Sequence, residues 1–151
     1  MIPYVLDQNL KNDDNFIGDY CMKFRYLGTS AGEGIPAVFC ECETCKKAVE
    51  LAGKNIRTRS QALIDDKLLI DLGPDTFLHS LKYGIRLCNI KNCLITHSHP
   101  DHLYPNELKW RNPVSAYIEN KSPLTIYSDQ SGYDLIEQIK KVLINLKIIS
   151  N

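Results

Sequence analysis

Apolar positions in this chain fall into short runs divided by polar turns, and their spacing changes from one run to the next. Weak alternation over 21–27 predicts a strand, and residues 28–35 follow as a glycine-rich loop. A helix is predicted over 44–51, stopped near Gly53. A strand over 61–64, a turn at Asp65 and Asp66 and a returning strand over 67–71 read as a hairpin. Pro74 and Asp75 open a helix that runs to about Tyr83, where Gly84 ends it. Further strands are expected over 90–95 and 124–127. Leu135, Ile136, Ile139, Val142, Leu143 and Leu146 recur at helical spacing and predict a long amphipathic helix over 133–146. Asp129 and Asp134, at its start, read as capping residues. Residues 147–151 look like the opening of another strand, and the polar first 20 residues like an arm or a short edge strand. No repeat or linker divides the chain. Strands interleaved with helices predict one α/β domain over 1–151, a sheet covered by helices.

Composition narrows the function classes. Hydrophobic residues make up 44% and charged residues 24%, as in an ordinary globular protein. Lys and Arg together number 18, as do Asp and Glu, so a broad nucleic-acid surface is not expected. No apolar run approaches membrane-spanning length, and the first residues carry neither a basic start nor a long apolar stretch, so neither a membrane partner nor a secretory signal is expected. Six cysteines could indicate disulfides, but Cys40, Cys42 and Cys45 stand too close together to pair well. Their spacing suits a metal clasp and, with no signal, points to a reducing cytoplasm. Cys21, Cys88 and Cys93 lie in apolar contexts and read as small core residues.

The densest chemistry lies just past the strand that ends Cys93-Leu94-Ile95. There the chain reads Thr96-His97-Ser98-His99-Pro100-Asp101-His102, holding three of its four histidines. In extended chain, His97 and His99 project to the same face and can share one metal position. Pro100 turns the chain, so that Asp101 and His102 serve an adjacent position. Imidazole with carboxylate suits zinc and, less selectively, manganese or iron.

This H-x-H-x-D-H segment after a hydrophobic strand resembles the signature of the metallo-β-lactamase superfamily. Leu68-Leu69-Ile70-Asp71-Leu72-Gly73 resembles the family's earlier strand-Asp-x-Gly element, and Leu27-Gly28-Thr29-Ser30 its first strand and turn. The resemblance gives Asp71 the role of orienting the metal-binding loop from below. Leu108-Lys109-Trp110-Arg111 and the Cys40, Cys42, Cys45 cluster resemble the phosphoribosyl cyclic phosphodiesterase branch. The implied fold is the N-terminal half of a four-layer αββα sandwich. After His102 the chain has no histidine, whereas the family supplies further ligands later. A half-sandwich would expose an apolar sheet face, so a homodimer or a C-terminal half is the expected partner.

The resemblance also implies chemistry. Two divalent metals, zinc or manganese, would sit on His97, His99, Asp101 and His102 and hold a hydroxide that attacks a small-molecule phosphodiester. Asp101 would act both as a ligand of the second metal and as the partner of the nucleophilic water. One structural zinc would sit on Cys40, Cys42 and Cys45, its fourth corner left to water, Cys21 or a partner chain. Two alternatives stay open. One is a non-catalytic, metal-stabilised binding module. The other is a different branch, of the ribonuclease Z, coenzyme-biosynthesis, thioesterase or lactamase kind. With two ligands per metal position, the chain alone is expected to be weakly active at most.

Overall fold

The computed structural model of the protein describes residues 21–119, 122–140 and 146–150. Its most local feature is the hairpin expected from the sequence. Asp65 and Asp66 both adopt left-handed backbone, with φ of 50° and 54°, the geometry of a tight turn whose twist matches the strands it joins. It links β2 (Gln61–Ile64) to β3 (Leu68–Ile70). β1 (Phe24–Gly28) pairs antiparallel to β2, while β4 (Asn92–Leu94), β5 (Leu124–Ser128) and β6 (Leu146–Ser150) add on as parallel neighbours. The sheet therefore runs β1 to β6 in chain order. Among the described residues no helix is long and apolar enough to cross a membrane.

Among the described residues three α-helices accompany the sheet: α1 (Glu43–Leu51), α2 (Thr76–Tyr83) and α3 (Gln130–Glu137). Gly84, left-handed at φ 66°, ends α2 as its position predicts. The long final helix is a correction. α3 starts three residues earlier than expected, because the Asp129 side chain accepts the Gly132 N–H and caps it. Gly132 sits inside this first turn because a Cβ there would meet Ser128 Cβ at 2.9 Å. The helix then stops at Glu137, and Leu146 belongs to β6 instead. Apolar spacing cannot separate a helix from a short helix followed by a buried strand. Val142 and Leu143 lie outside the described residues, as do the first 20. Asp134 is not a cap, since it lies within α3 and accepts a hydrogen bond from Gln130.

The strand register explains where the core sits. Leu63, Leu69, Cys93, Ile126 and Ile148 align across β2 to β6. The first four are at most 2% exposed, and Ile136 of α3 joins their cluster. Each such aliphatic side chain contributes about 1.5–3 kcal/mol by burial. Tyr26, Ala62, Ile70, Leu94, Tyr127 and Ile149 form the row on the opposite face. There Tyr26 is 69%, Leu94 41% and Tyr127 37% exposed. The other cysteine expectations divide. Cys93 is in the core, Cys88 is half-buried, and Cys21 is exposed because β1 begins only at Phe24.

A polar network ties α2 to the sheet. The buried Gln61 amide donates to Thr76 Oγ1 at 2.8 Å and to the Asp71 carbonyl at 2.9 Å. Its oxygen therefore faces His79 Nδ1, at 2.5 Å, and His79 Nε2 meets the Thr58 hydroxyl at 2.7 Å. The fourth histidine is thus a structural one, 1% exposed. Burial lowers its pKa, outweighing the opposing influence of Asp75. A histidine held neutral in the fold but free to protonate at about pH 6.5 when unfolded stabilises fully above that pH. The contribution is lost as pH falls through about 6.5 toward the folded value. His79→Ala should cost about 2–4 kcal/mol, by leaving Gln61 and Thr58 unsatisfied around a void. His79→Gln should give a flatter stability profile between neutral and mildly acid pH than the natural chain. Urea unfolding at several pH values checks both.

Candidate metal centre

Asp71, the 96–102 loop and the start of α3 follow β3, β4 and β5 directly, so all three emerge at the carboxyl ends of adjacent parallel strands. Open sheets place their binding sites at such an edge. Asp71 has a left-handed backbone, φ 65°, which Asp tolerates better than most residues. That conformation aims a 3% exposed carboxylate up into the loop. Asp71 Oδ1 accepts the Thr96 N–H and the Thr96 hydroxyl, each at 2.8 Å. Asp71 Oδ2 lies 2.7 Å from His102 Nδ1.

These bonds set the imidazole tautomers. A carboxylate only accepts, so His102 carries its proton on Nδ1 and presents Nε2 outward. The Thr96 hydroxyl gives its proton to Asp71 and can accept from His97 Nδ1, 3.1 Å away. His97 Nε2 is then free as well. The His97 ring centroid is 4.7 Å from that of His99 and 4.0 Å from that of His102. His102 Nε2 lies 3.3 Å from Asp101 Oδ2. Each expected pair of ligands is therefore brought together, with His97 between the two positions. No three of these ligand atoms lie within 4.8 Å of one another, a convergence that among the described residues the Cys40, Cys42, Cys45 set alone achieves.

Close packing makes the loop possible. Gly73 lies under it, where a Cβ would stand 2.1 Å from the Asp101 carbonyl oxygen. Gly32 of the glycine-rich loop lies against Asp101, its Cβ position 3.3 Å from Asp101 Cγ. Arg59 holds that loop in place, bonding the Gly32 carbonyl at 2.9 Å and pairing with Asp75 at 2.9 Å. On the other side Ser131 Oγ donates to Asp129 Oδ2 at 2.9 Å and can accept from the Ser98 hydroxyl, 2.8 Å away. The Gly132 N–H and the Ser131 hydroxyl, with a smaller effect of His97, hold the Asp129 carboxyl below its ordinary pKa. Sequence reasoning passed over Thr96, Gln61, Arg59 and Ser131. Thr96 stands inside the histidine segment, while the other three carry no local signal.

The cysteines form a second centre. Cys42 caps α1, and Cys45 sits in its first turn. The Cys45 N–H together with the neighbouring Cys40 sulfur lowers Cys42 to a pKa of about 7. The Ala37 N–H favours the Cys45 thiolate, but the Cys40 sulfur and burial carry the net shift upward. Cys21 does not join the set. A cavity of about 690 Å³ lies elsewhere, between the helix-covered sheet face and the 105–118 segment. Cys88 and Glu107 line it, and none of the loop's candidate ligands does, so donor chemistry rather than volume marks the site.

No protein-family model and no curated protein matches the sequence. Solved structures do. A diphosphatase of the PhnP family superposes with a TM-score of 0.67 at 20% identity, over 86% of this chain and 51% of that one. Zinc-bound PqqB from Methylobacterium extorquens gives 0.63 at 21%, over 84% and 46%. The metallo-β-lactamase fold protein YhfI from Bacillus subtilis gives 0.56 at 20%, over 86% and 46%. The chain thus spans about half the length of these structures.

The Asp71 clasp makes a direct prediction. In Asp71→Asn the amide oxygen should keep the two Thr96 bonds, so its N–H₂ would face His102 Nδ1. His102 should then move its proton from Nδ1 to Nε2, visible in its ¹⁵N shifts, with a stability loss of about 2 kcal/mol. An unchanged tautomer would contradict the assigned hydrogen-bond direction.

Proposed function

We propose that this chain, which carries the metallo-β-lactamase fold over about half the length of its structural relatives, is a metal-dependent hydrolase acting on a small, cyclic phosphodiester. The observation that carries this reading is the Asp71 clasp: a buried carboxylate that fixes the Nδ1 atoms of His102 and, through Thr96, of His97. Such bonds orient imidazoles as ligands rather than as core residues. The donor set fits zinc or manganese, with His97 and His99 at one position and Asp101 and His102 at the other. Metals there would supply an activated water at neutral pH and neutralise charge on a phosphate oxygen. Asp101, whose Oδ2 lies 3.3 Å from His102 Nε2, would orient that water by accepting its hydrogen bond. Gly32 and Gly73 keep the backbone around Asp101 open to close approach. The PhnP-family neighbour, a diphosphatase, supports attack at phosphorus rather than at a lactam or thioester carbonyl. The free thiols suit a reducing compartment, for which we propose the cytoplasm.

The test is hydrolysis of bis(p-nitrophenyl) phosphate with added zinc or manganese, alongside calorimetric metal titration. Activity and the loop's share of metal binding should both disappear in the His97→Ala, His99→Ala double variant. Turnover of the chain alone should lie well below the enzyme median of about 10 per second, because no three loop ligands converge. Hydrolysis that survives the double variant would sink the reading.

A second observation favours a metal-stabilised role in addition: the convergence of Cys40, Cys42 and Cys45. We propose a structural zinc there. With cobalt in place of zinc, a thiolate-to-metal charge-transfer band should appear and weaken in Cys42→Ser. Binding should release protons increasingly as pH falls below about 7, where Cys42 is mostly protonated in the metal-free chain. Such a band with full intensity in Cys42→Ser would place the metal elsewhere.

A further inference from the structure

A second cavity, of about 650 Å³, lies between β1, the 53–58 segment and the end of α2. No residue of the histidine loop lines it. Three cations do, from three separately fixed elements: Lys54, Arg57 and Lys82. Lys54 rides on the short helical turn Gly53–Asn55. The Arg57 backbone is held on both sides by Ile35, at 2.7 and 2.9 Å. Lys82 belongs to the last turn of α2.

Five cations elsewhere stand next to carboxylates: Lys23 and Arg25 with Asp66, Arg59 with Asp75, Lys46 with Glu43, Lys140 with Glu137. In a chain with no net charge, the cavity wall holds no Asp or Glu at all. Among the described residues none of the three cations makes an ion pair. The end of the α2 dipole and the Tyr83 ring, 5.1 Å from Lys82 Nζ, account for one of them. Lys54 and Arg57 have no such compensation. Like charges gathered without acids raise the local anion concentration. Tyr26, 69% exposed, and Tyr83 add two aromatic rings to the same wall. The volume falls in the range of small-ligand sites.

We propose that this cavity binds a nucleoside monophosphate, its phosphate on Arg57, Lys54 and Lys82 and its base against the tyrosines. Free phosphate would use the cations but leave the rings idle, so the nucleotide is the better fit to the whole wall. The site is independent of the metal-centre chemistry.

The experiment is titration of the full chain, without added divalent metal, with AMP, adenosine and inorganic phosphate. Calorimetry gives affinities, and amide NMR shifts locate the site. AMP should bind more tightly than either part, more weakly as salt rises, and shift amides over 53–58 and 82–83. Arg57→Gln should lower AMP affinity by about tenfold, or 1.4 kcal/mol, and Lys54→Gln by a smaller factor. The exposed Arg57 side chain makes no hydrogen bond or ion pair among the described residues, so the amide spectrum away from the site should stay unchanged. The His97→Ala, His99→Ala variant should bind AMP as before. Equal binding by Arg57→Gln, loss of binding in the histidine variant, phosphate binding as tight as AMP, or no binding at millimolar AMP would each overturn the proposal.

Discussion

One buried carboxylate organises the histidine-bearing edge of this molecule. Asp71 sits where β3 has just ended, in a backbone conformation that costs a non-glycine residue about 1–2 kcal/mol. In return it accepts from Thr96 twice and meets His102, and its own N–H reaches the Leu94 carbonyl. The histidine loop has little else to hold it. His99 is exposed, and the loop's remaining anchors are backbone bonds from Leu72 and Tyr104, the 1% exposed Leu103 and the Ser98–Ser131 bond. Without Asp71 the rings would be free to turn, and the two positions they define would blur.

That carboxylate is itself held in place from below. Gln61 on β2 bonds the Asp71 carbonyl, and Thr76 reaches the Gly73 carbonyl at 2.7 Å. His79 and Thr58 complete the chain, so β2, α2 and the 57–59 segment share one polar network. Among the described residues no buried side-chain donor or acceptor in the molecule lacks a partner. Such a network is strong when complete and costly when broken. It gives the fourth histidine a purpose distinct from the other three.

The sequence made the chemistry more legible than its support. Histidines at 97, 99 and 102 announce themselves because no core needs them together, and the hairpin turn at Asp65 and Asp66 follows from two residues that tolerate left-handed backbone. The stop of α2 at Gly84 was equally readable. What could not be read depended on long-range contact. Gln61 looks like any polar strand residue until α2 folds over it, and Ser131 until α3 meets the loop. The final helix was misjudged for a related reason. Ile136, Ile139 and Leu146 all pack on one core, from α3, the turn after it and β6 respectively, and a periodic reading merges them. The cysteine triad was legible in its convergence, whereas the exposure of Cys21 depended on where β1 begins.

The two faces of the sheet bear on how this edge could work. One face carries the Leu63–Leu69–Cys93–Ile126 row beneath α3, and the other leaves Tyr26 on β1, Leu94 on β4 and Tyr127 on β5 open. Two sheets that pack face to face sit about 10 Å apart, and their ends then share an edge. Whatever covers the open face would stand directly beside His97, His99 and Asp101. Each candidate position has two of the three protein ligands that a catalytic zinc usually takes, so a layer packed on that face would stand at the edge where ligands are lacking.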